Sequence, residues 1–525
     1  MVSDLRKWID SLDSKELLHT EQSEVDIRSC SSLILDNYKR ATLFPKIAGY
    51  DYPLIANAVS SRGMMALALE SSEKGLLDEY QRRISSPVKP VFSSSTDGEC
   101  QEHVTLGDDR VDLTTLPILL QHELDGAPYI TSGLLISRDP QTSEYNIGIY
   151  RLMFRKKNEL GINITAPHRV RWFYQKALKE GKPLDVAICL GLHALDLLAA
   201  VTTAPSGVDE LSIWGGIQRE PIKLVPAKTL DGLYVPSHAE IVIEAQLEPV
   251  GWSEPEGPYG EFPGTYSGMR KNPTIKVRAI TSRRSAIYQS ATHGGRHLEN
   301  TDFFVLIPEI ELSIHQALVH AGVDVRAVRV LPSGAGMICF LSISQRSKGD
   351  ARNALYVALA GSRQNFPKYC VIVDEDIDVM DDSQVIWAIA TRSQPAEDVI
   401  LLDGMRIPSS SDPSLFGGPP FSMSKMGLDA TIPIERDRQR FKRSEVPKKE
   451  ETEGVRPRTS IHLSDEEAVA REIQEILKSG PLYFSEVLDA VSGATYRTVL
   501  RAWSLLRERA LISQNESGRY ELKST

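Results

Sequence analysis

Tyr129-Ile-Thr-Ser-Gly-Leu-Leu-Ile-Ser137 is the stretch on which the fold of this chain turns. It is short, rich in apolar and β-branched residues and bounded by turn residues, which is the pattern of a strand with a buried face. Ile275-Lys-Val-Arg-Ala-Ile-Thr281 shows the same pattern, and residues from about 105 to 290 are built of such runs. This predicts a β-sandwich or barrel. Arg169 to Glu180 has helical spacing and reads as a helix inserted among the strands.

Outward from this centre the pattern changes. Residues 1–104 mix short strands with helical stretches: Ser3-Asp4 can cap a helix over Leu5 to Leu12, and Ser60 to Ile84 has helical spacing. Beyond the β region, helices over Pro308 to Ala321 and Ala351 to Leu359 alternate with strands at Ile338 to Ile343 and Tyr369 to Val373. That alternation predicts an open α/β layer. Residues 435–459 are dense in Arg, Lys, Glu and Pro and read as a linker. The tail, 460–525, opens on the capping box Ser464-Asp-Glu-Glu467. Two further helices follow, Ser485 to Val491 and one from Thr495, and then a hairpin around Asn515, the winged-helix order. The expected domains are therefore 1–104, 105–302, 303–434 and 460–525, with the linker between the last two.

Composition narrows the function classes. The chain has 525 residues, 25% charged and 41% hydrophobic, so it is globular and can bury a large core. A net charge of -10 argues against a surface made for nucleic acid. The five scattered cysteines form no CxxC, which favours a reducing, cytoplasmic setting over a disulfide framework or a zinc site. Asp4 interrupts any signal peptide. Val186 to Val201, the most apolar run, is too short to cross a bilayer and reads as a buried helix, so no membrane partner is expected.

Two segments carry candidate chemistry. In Glu256-Gly-Pro-Tyr-Gly-Glu261, Pro258 and Gly260 suit a turn that would bring two carboxylates together. Close carboxylates cannot both ionise freely, so one would be a proton donor near neutral pH; the alternative is a solvated acidic turn. In Tyr145-Asn-Ile-Gly-Ile-Tyr-Arg-Leu-Met153, a regular strand would send Asn146 and Arg151 to opposite faces, unless Gly148 hosts a bulge or the strand ends early. Ala166-Pro-His168-Arg169 is a turn before a helix, and Glu210 stands in Val208-Asp-Glu-Leu211.

Taken together, Asn146, Arg151, His168, Glu210, Glu256 and Glu261 resemble the functional residues of the UbiD family of prenylated-FMN-dependent (de)carboxylases. The local motifs run in the same order: Asn146-Ile-Gly-Ile-Tyr-Arg151, Pro167-His168, the Glu before Trp214-Gly-Gly216, Val235-Pro-Ser-His-Ala-Glu-Ile-Val-Ile-Glu244 and the paired-glutamate turn. Asp374-Glu-Asp-Ile-Asp378, Val385-Ile-Trp-Ala-Ile-Ala-Thr-Arg392 and Met426-Gly-Leu-Asp-Ala-Thr431 continue it, so the resemblance covers roughly residues 5 to 435. The tail lies outside it.

The resemblance implies an α+β multidomain enzyme: an N-terminal α/β region, a central split β-barrel that binds the flavin, and a C-terminal α/β layer, here followed by the winged-helix-like tail. It implies reversible, non-oxidative decarboxylation of an aromatic, heteroaromatic or α,β-unsaturated acid through a covalent adduct with prenylated FMN. A flavin prenyltransferase would supply the cofactor, and the enzyme would be a homodimer or larger homo-oligomer. Asn146, His168 and Glu210 would hold manganese (or magnesium), an O/N donor set suited to a hard cation, with potassium at the same phosphate. Asn146, Ile147, Gly148, Ile149, Tyr150, Arg151, Pro167, His168 and Glu210 would line the cofactor. Glu261 would be the proton donor, Arg151 would orient the substrate carboxylate, and Glu256 would hold Arg151. A competing reading makes the chain a DNA-binding regulator acting through Arg497, Arg501, Arg507 and Arg509 of the tail on a degenerate core; nearby Glu486, Asp489, Glu508, Glu516 and Glu521 leave that footprint near neutral.

Overall fold

The computed structural model describes residues 4–94, 98–164, 168–204, 207–407, 412–415, 422–444, 446 and 465–523. The chain divides into two compact units, residues 1–441 and 442–525.

At the centre of the first unit is a nine-stranded sheet. Along it the strands follow the order Tyr129–Ile130, Leu152–Lys156, Glu159–Ile162, Thr274–Ser282, Ile241–Leu247, Leu184–Leu190, Leu134–Arg138, Tyr145–Ile149, with His103–Leu106 also pairing on Thr274–Ser282. Tyr145–Ile149 ends this order at one side, and Leu152–Lys156 stands second from the other. Yet only Tyr150 and Arg151 separate them in the chain. A sheet whose opposite margins are tied by two residues must curl on itself, and of the sandwich or barrel that the strand pattern allowed it is a curled half-barrel. The strand does end early, at Ile149, so Asn146 remains in the ladder opposite Ser137 while Arg151 sits in the seam.

Two of the expected helices are otherwise arranged. Val186 to Val201 is a strand, Leu184–Leu190, followed by a helix, Ala194–Val201. Gly191 at φ +73° turns the chain between them, and the His193 Nδ1 caps the helix by accepting from the Leu195 N–H. Ser60 to Ile84 is two helices, Arg62–Ala68 and Leu76–Ile84, parted where Glu70 takes φ +55° before a Ser-Ser pair. The first helix is capped as expected, Asp4 accepting from the Lys7 N–H at 3.0 Å.

The N-terminal sheet has four strands, in the order Leu18–Thr20, Ala41–Phe44, Leu54–Ala56 and Tyr288–Ser290. Its last strand comes from far along the chain and pairs in parallel with Leu54–Ala56. The C-terminal layer is a five-stranded sheet in which Ile338–Ile343, Tyr369–Asp374 and Met423–Asp429 are parallel. Alternate residues point to opposite faces: Cys339, Leu341 and Cys370 join one core, while Phe340, Val371 and Val373 join another with Val385 and Ala388.

The second unit has its own small core of Val469, Ile473, Leu477, Val487, Val499, Leu506 and Ile512. Its helices are Glu466–Leu477, Phe484–Ala490 and Tyr496–Glu508, followed by paired strands Ile512–Gln514 and Tyr520–Leu522. Asp465 and Thr495 cap the first and third. Arg501 and Arg509, two of the arginines offered for a nucleic-acid face, are engaged by Glu466 and Glu467. Among the described residues no helix is long and apolar enough to cross a membrane. All five cysteines are free and buried.

Candidate active site

The seam of the curled sheet gathers two clusters. On one side, Glu210 opens the helix Glu210–Gln218 and its carboxylate meets the strand: Oε2 accepts from the Ile147 N–H at 2.8 Å and from Asn146 Nδ2 at 3.0 Å. Arg169 Nη1 pairs with Glu210 Oε1 at 3.2 Å. His168, the residue before the helix Arg169–Lys179, lies edge-on to the Tyr150 ring at 5.8 Å between centroids. Tyr150 in turn covers Gly148: a Cβ there would stand 2.8 Å from the tyrosine ring. The structure thus brings Asn146, His168, Glu210, Gly148 and Tyr150 into one corner. Pro167 lies outside the described residues.

Amide oxygen, imidazole and carboxylate are donor types that a hard cation takes. Burial holds the Glu210 pKa above the ordinary carboxylate value, and the Ile147 N–H, the Asn146 amide and Arg169 offset part of that rise. Partial desolvation lowers the His168 pKa and so favours the neutral imidazole, the form that ligates. Asn146 Oδ1 is buried and has no hydrogen-bond partner among the described residues. An orphaned buried acceptor is uncommon and asks for a ligand. Among the described residues no three His, Cys, Asp or Glu side chains converge on a metal position. The expected set has two, and its third member is an asparagine.

On the other side, Arg151 is gripped by both glutamates. Its Nε and Nη2 donate to Glu256 Oε1 and Oε2 at 2.8 and 3.0 Å, a bidentate pair, while Nη1 pairs with Glu261. The turn does bring the carboxylates together, but with a guanidinium between them, not facing one another. Glu256 is fully buried and Glu261 is 9% exposed, so this is no solvated acidic loop. Burial opposes the Arg151 charge, yet Glu261 and Glu256 outweigh it and hold its pKa above the ordinary guanidinium value. The Tyr129 hydroxyl donates to Glu256 Oε1 at 3.2 Å, and the Tyr259 ring lies under the guanidinium at 4.7 Å. Gly257 at φ +100° lets the chain turn there, and Asp125 fixes the far limb by accepting from the Gly260 N–H at 2.7 Å.

Sequence reasoning missed His122, His293, Arg169, Tyr129 and Tyr259. His293 has its pKa pushed down to about 4, chiefly by burial and then by the charges of His122 and Arg151. Its Nδ1 and that of His122 are buried without hydrogen-bond partners among the described residues. The His122 ring packs on the Glu261 turn, since a Cβ on Gly260 would meet it at 2.2 Å, and the residue after His293 lies against the same turn, since a Cβ on Gly294 would meet the Glu261 carbonyl oxygen at 2.4 Å. Only Arg169 and Tyr259 had a signal, their adjacency to motif residues.

Comparison with known proteins identifies the family. Three family models match in order: the 3-octaprenyl-4-hydroxybenzoate carboxy-lyase N-terminal domain over residues 9–84, its Rift-related domain over 92–297 and its C-terminal domain over 304–430. The chain belongs to the UbiD family. It is a UbiD-class carboxy-lyase, a non-oxidative decarboxylase of aromatic or unsaturated acids. Phenolic acid decarboxylase of Sedimentibacter hydroxybenzoicus is 30% identical over 82% of this chain and 92% of its own. Anhydromevalonate phosphate decarboxylase of Methanothermobacter thermautotrophicus is 29% identical over 84% of this chain and 100% of its own. Among solved structures, the UbiD-class enzyme HmfF of Pelotomaculum thermopropionicum in complex with FMN superposes with a TM-score of 0.78 at 32% identity, covering 85% of this chain and 98% of HmfF.

Proposed function

We propose that this UbiD enzyme decarboxylates an aromatic, heteroaromatic or α,β-unsaturated acid with prenylated FMN, using Arg151, Glu256 and Glu261 as its acid-handling residues. The observation that carries this reading is the buried Glu256–Arg151–Glu261 array at the seam of the curled sheet. HmfF was solved with FMN and, in an evolved dimeric form, with prFMN, which supports the cofactor.

Asn146 Oδ1, the His168 ring nitrogen and Glu210 would hold manganese (or magnesium) at the cofactor phosphate, with potassium beside it. The unpartnered Asn146 acceptor supports the metal. Ile147, Gly148, Ile149, Tyr150 and Pro167 would line the cofactor. When bound, prenylated FMN supplies the electron sink that loss of carbon dioxide requires.

Arg151 would receive the substrate carboxylate through a charge-assisted hydrogen bond. Glu256 sets the plane of that guanidinium from behind, and the Tyr129 hydroxyl steadies Glu256. Glu261, at the more open end of the array, would carry the proton returned to the substrate carbon. Burial keeps water from these groups, which strengthens each charge interaction.

Domains at 1–104, 105–302 and 303–434, a linker at 435–459 and a winged-helix-like module at 460–525 complete the proposal. Three helices followed by a hairpin around their own core support the last of these. We place the enzyme in the cytoplasm, as a homodimer or larger homo-oligomer, supplied by a flavin prenyltransferase. Co-expression with that prenyltransferase should yield coloured protein carrying one flavin and one manganese per chain that releases carbon dioxide from a panel of aromatic and acrylic acids. Full activity in flavin-free, metal-free protein would sink the reading.

A further inference from the structure

We infer that Arg270 supplies the positive charge that draws the substrate carboxylate to Arg151, and so makes the site select an acid over its neutral analogue. The inference rests on the decarboxylase reading and adds to it a specificity-determining residue outside the Glu256–Arg151–Glu261 array. The observation is where one hairpin puts its charged residues. Its outgoing strand, Glu254–Glu256, pairs antiparallel with its returning strand, Arg270–Asn272, and Glu256 stands directly opposite Arg270. Residues opposite one another in such a pair share a face, with Cβ atoms about 4.5–5.5 Å apart.

The two limbs are held together along their length. A Cβ on Gly257 would meet the Gly268 carbonyl oxygen at 2.9 Å. The Tyr259 N–H donates to Ser267 Oγ at 3.2 Å, and the Ser267 N–H donates back to the Tyr259 carbonyl at 2.9 Å. Nearer the tip, the Glu261 N–H donates to the Thr265 carbonyl at 2.9 Å. Both glutamates and Arg270 therefore ride on one element, which meets Arg151 at the seam.

Charge shows what Arg270 adds. Arg151 is bound by Glu256 through two hydrogen bonds of 2.8 and 3.0 Å, so that pair is neutral before any substrate arrives. Glu261, carrying the proton it is to return, adds no charge. A carboxylate would then enter a desolvated site with no net charge to meet it, which is costly. With Arg270 counted, one positive charge remains, and the substrate carboxylate closes the balance. Arg270 is half-buried, and its pKa is held below the ordinary guanidinium value, first by burial and then by the Arg151 charge, with Glu261 and Glu256 pulling the other way. Its surroundings are thus short of negative charge, and an acid would supply it. Other charges near the hairpin are turned elsewhere. Arg155 donates to Thr274 Oγ1 at 2.8 Å, and Asp125 accepts from the N–H groups of Gly260 and His122 at 2.7 and 3.0 Å.

The test uses holoenzyme and two matched probe pairs, benzoate against benzamide and cinnamate against cinnamamide. Dissociation constants are measured by calorimetry, and carbon dioxide release from the panel of aromatic and acrylic acids is measured alongside. At least one acid should bind tighter than its amide. Arg270→Gln should weaken that acid roughly tenfold and leave the amide within about twofold, the scale of one charge acting over several ångströms in a partly buried site. Arg270→Met, which keeps much of the stem, is the second uncharged variant should the first not fold. Arg270→Lys retains the charge and should restore most of the acid's affinity, whereas an arginine needed only for packing would cost acid and amide alike. Because the negative charge departs with carbon dioxide, the loss should fall on KM more than on kcat. A parent enzyme that binds neither acid tighter than its amide, or equal loss of acid and amide in the uncharged variant, overturns the inference. Acid preference that depends on Arg270, with no carbon dioxide release from any acid, would instead overturn the decarboxylase reading and leave the role of Arg270 standing.

Discussion

Glu256 and Glu261 hold the same guanidinium but should fail differently when altered. Glu261→Gln keeps the shape and removes the transferable proton, so decarboxylation and solvent-deuterium exchange into product should both fall about 10²–10⁴-fold while cofactor stays bound. Glu256→Gln breaks a bidentate pair with distances of 2.8 and 3.0 Å, so Arg151 loses its plane and both KM and kcat should suffer. If Glu256→Gln abolishes exchange and Glu261→Gln does not, the donor is the other carboxylate. His168→Ala should lower flavin and manganese content, read by absorbance and metal analysis, more than turnover per bound flavin.

The strand Tyr145–Ile149 and the helix Ala194–Val201 show how one element constrains a site. Gly148 leaves room for the Tyr150 ring, and Tyr150 packs on His168. Gly148→Ala should therefore displace that tyrosine and lower cofactor retention, which gel filtration of the loaded enzyme would register. Asp196, in the first turn of the helix, is fully buried and accepts from Trp214 Nε1 and Gln218 Nε2 at 2.6 Å each, with His238 Nε2 at 3.1 Å. Asp196→Ala strands those partners and should cost about 3–5 kcal/mol in a denaturant titration. The sequence made much of this readable: short β-branched runs marked the curled sheet, and motif order marked the residues that hold the seam. Periodicity could not tell a buried strand from a buried helix at Val186–Val201, because both are continuous apolar runs. Nor could it find His122 and His293, since neither neighbours a motif and only tertiary packing brings His122 onto the Glu261 turn and His293 within reach of the charges of His122 and Arg151.

At the scale of the whole molecule, acid should loosen the fold before it touches most carboxylates. His193 and His293 have pKa values pushed down to about 4 by burial. Between that value and the unfolded value of about 6.5, the unfolded chain binds more protons, so stability falls as pH drops through this window. Asp302, raised to about 6 by burial, acts in the opposite sense and offsets part of the loss. The melting temperature should decline from pH 7 to pH 5, and His193→Gln should flatten the slope; a flat profile in the parent would contradict it. Since residues 442–525 form a compact unit with their own core, a chain ending at about residue 455 should keep its turnover per bound cofactor. Complete loss of turnover with cofactor retained would make the tail part of the catalytic apparatus. The parallel strand Tyr288–Ser290 sets a schedule for biosynthesis. Its partner Leu54–Ala56 leaves the ribosome first and must keep an open edge until the chain has grown by more than two hundred residues, which at about 5–20 residues per second lasts on the order of 10–50 s. Through that interval the nascent N-terminus presents an unmatched row of backbone donors and acceptors, so a chaperone that shields strand edges should raise the yield of this enzyme more than one that acts only on the finished chain.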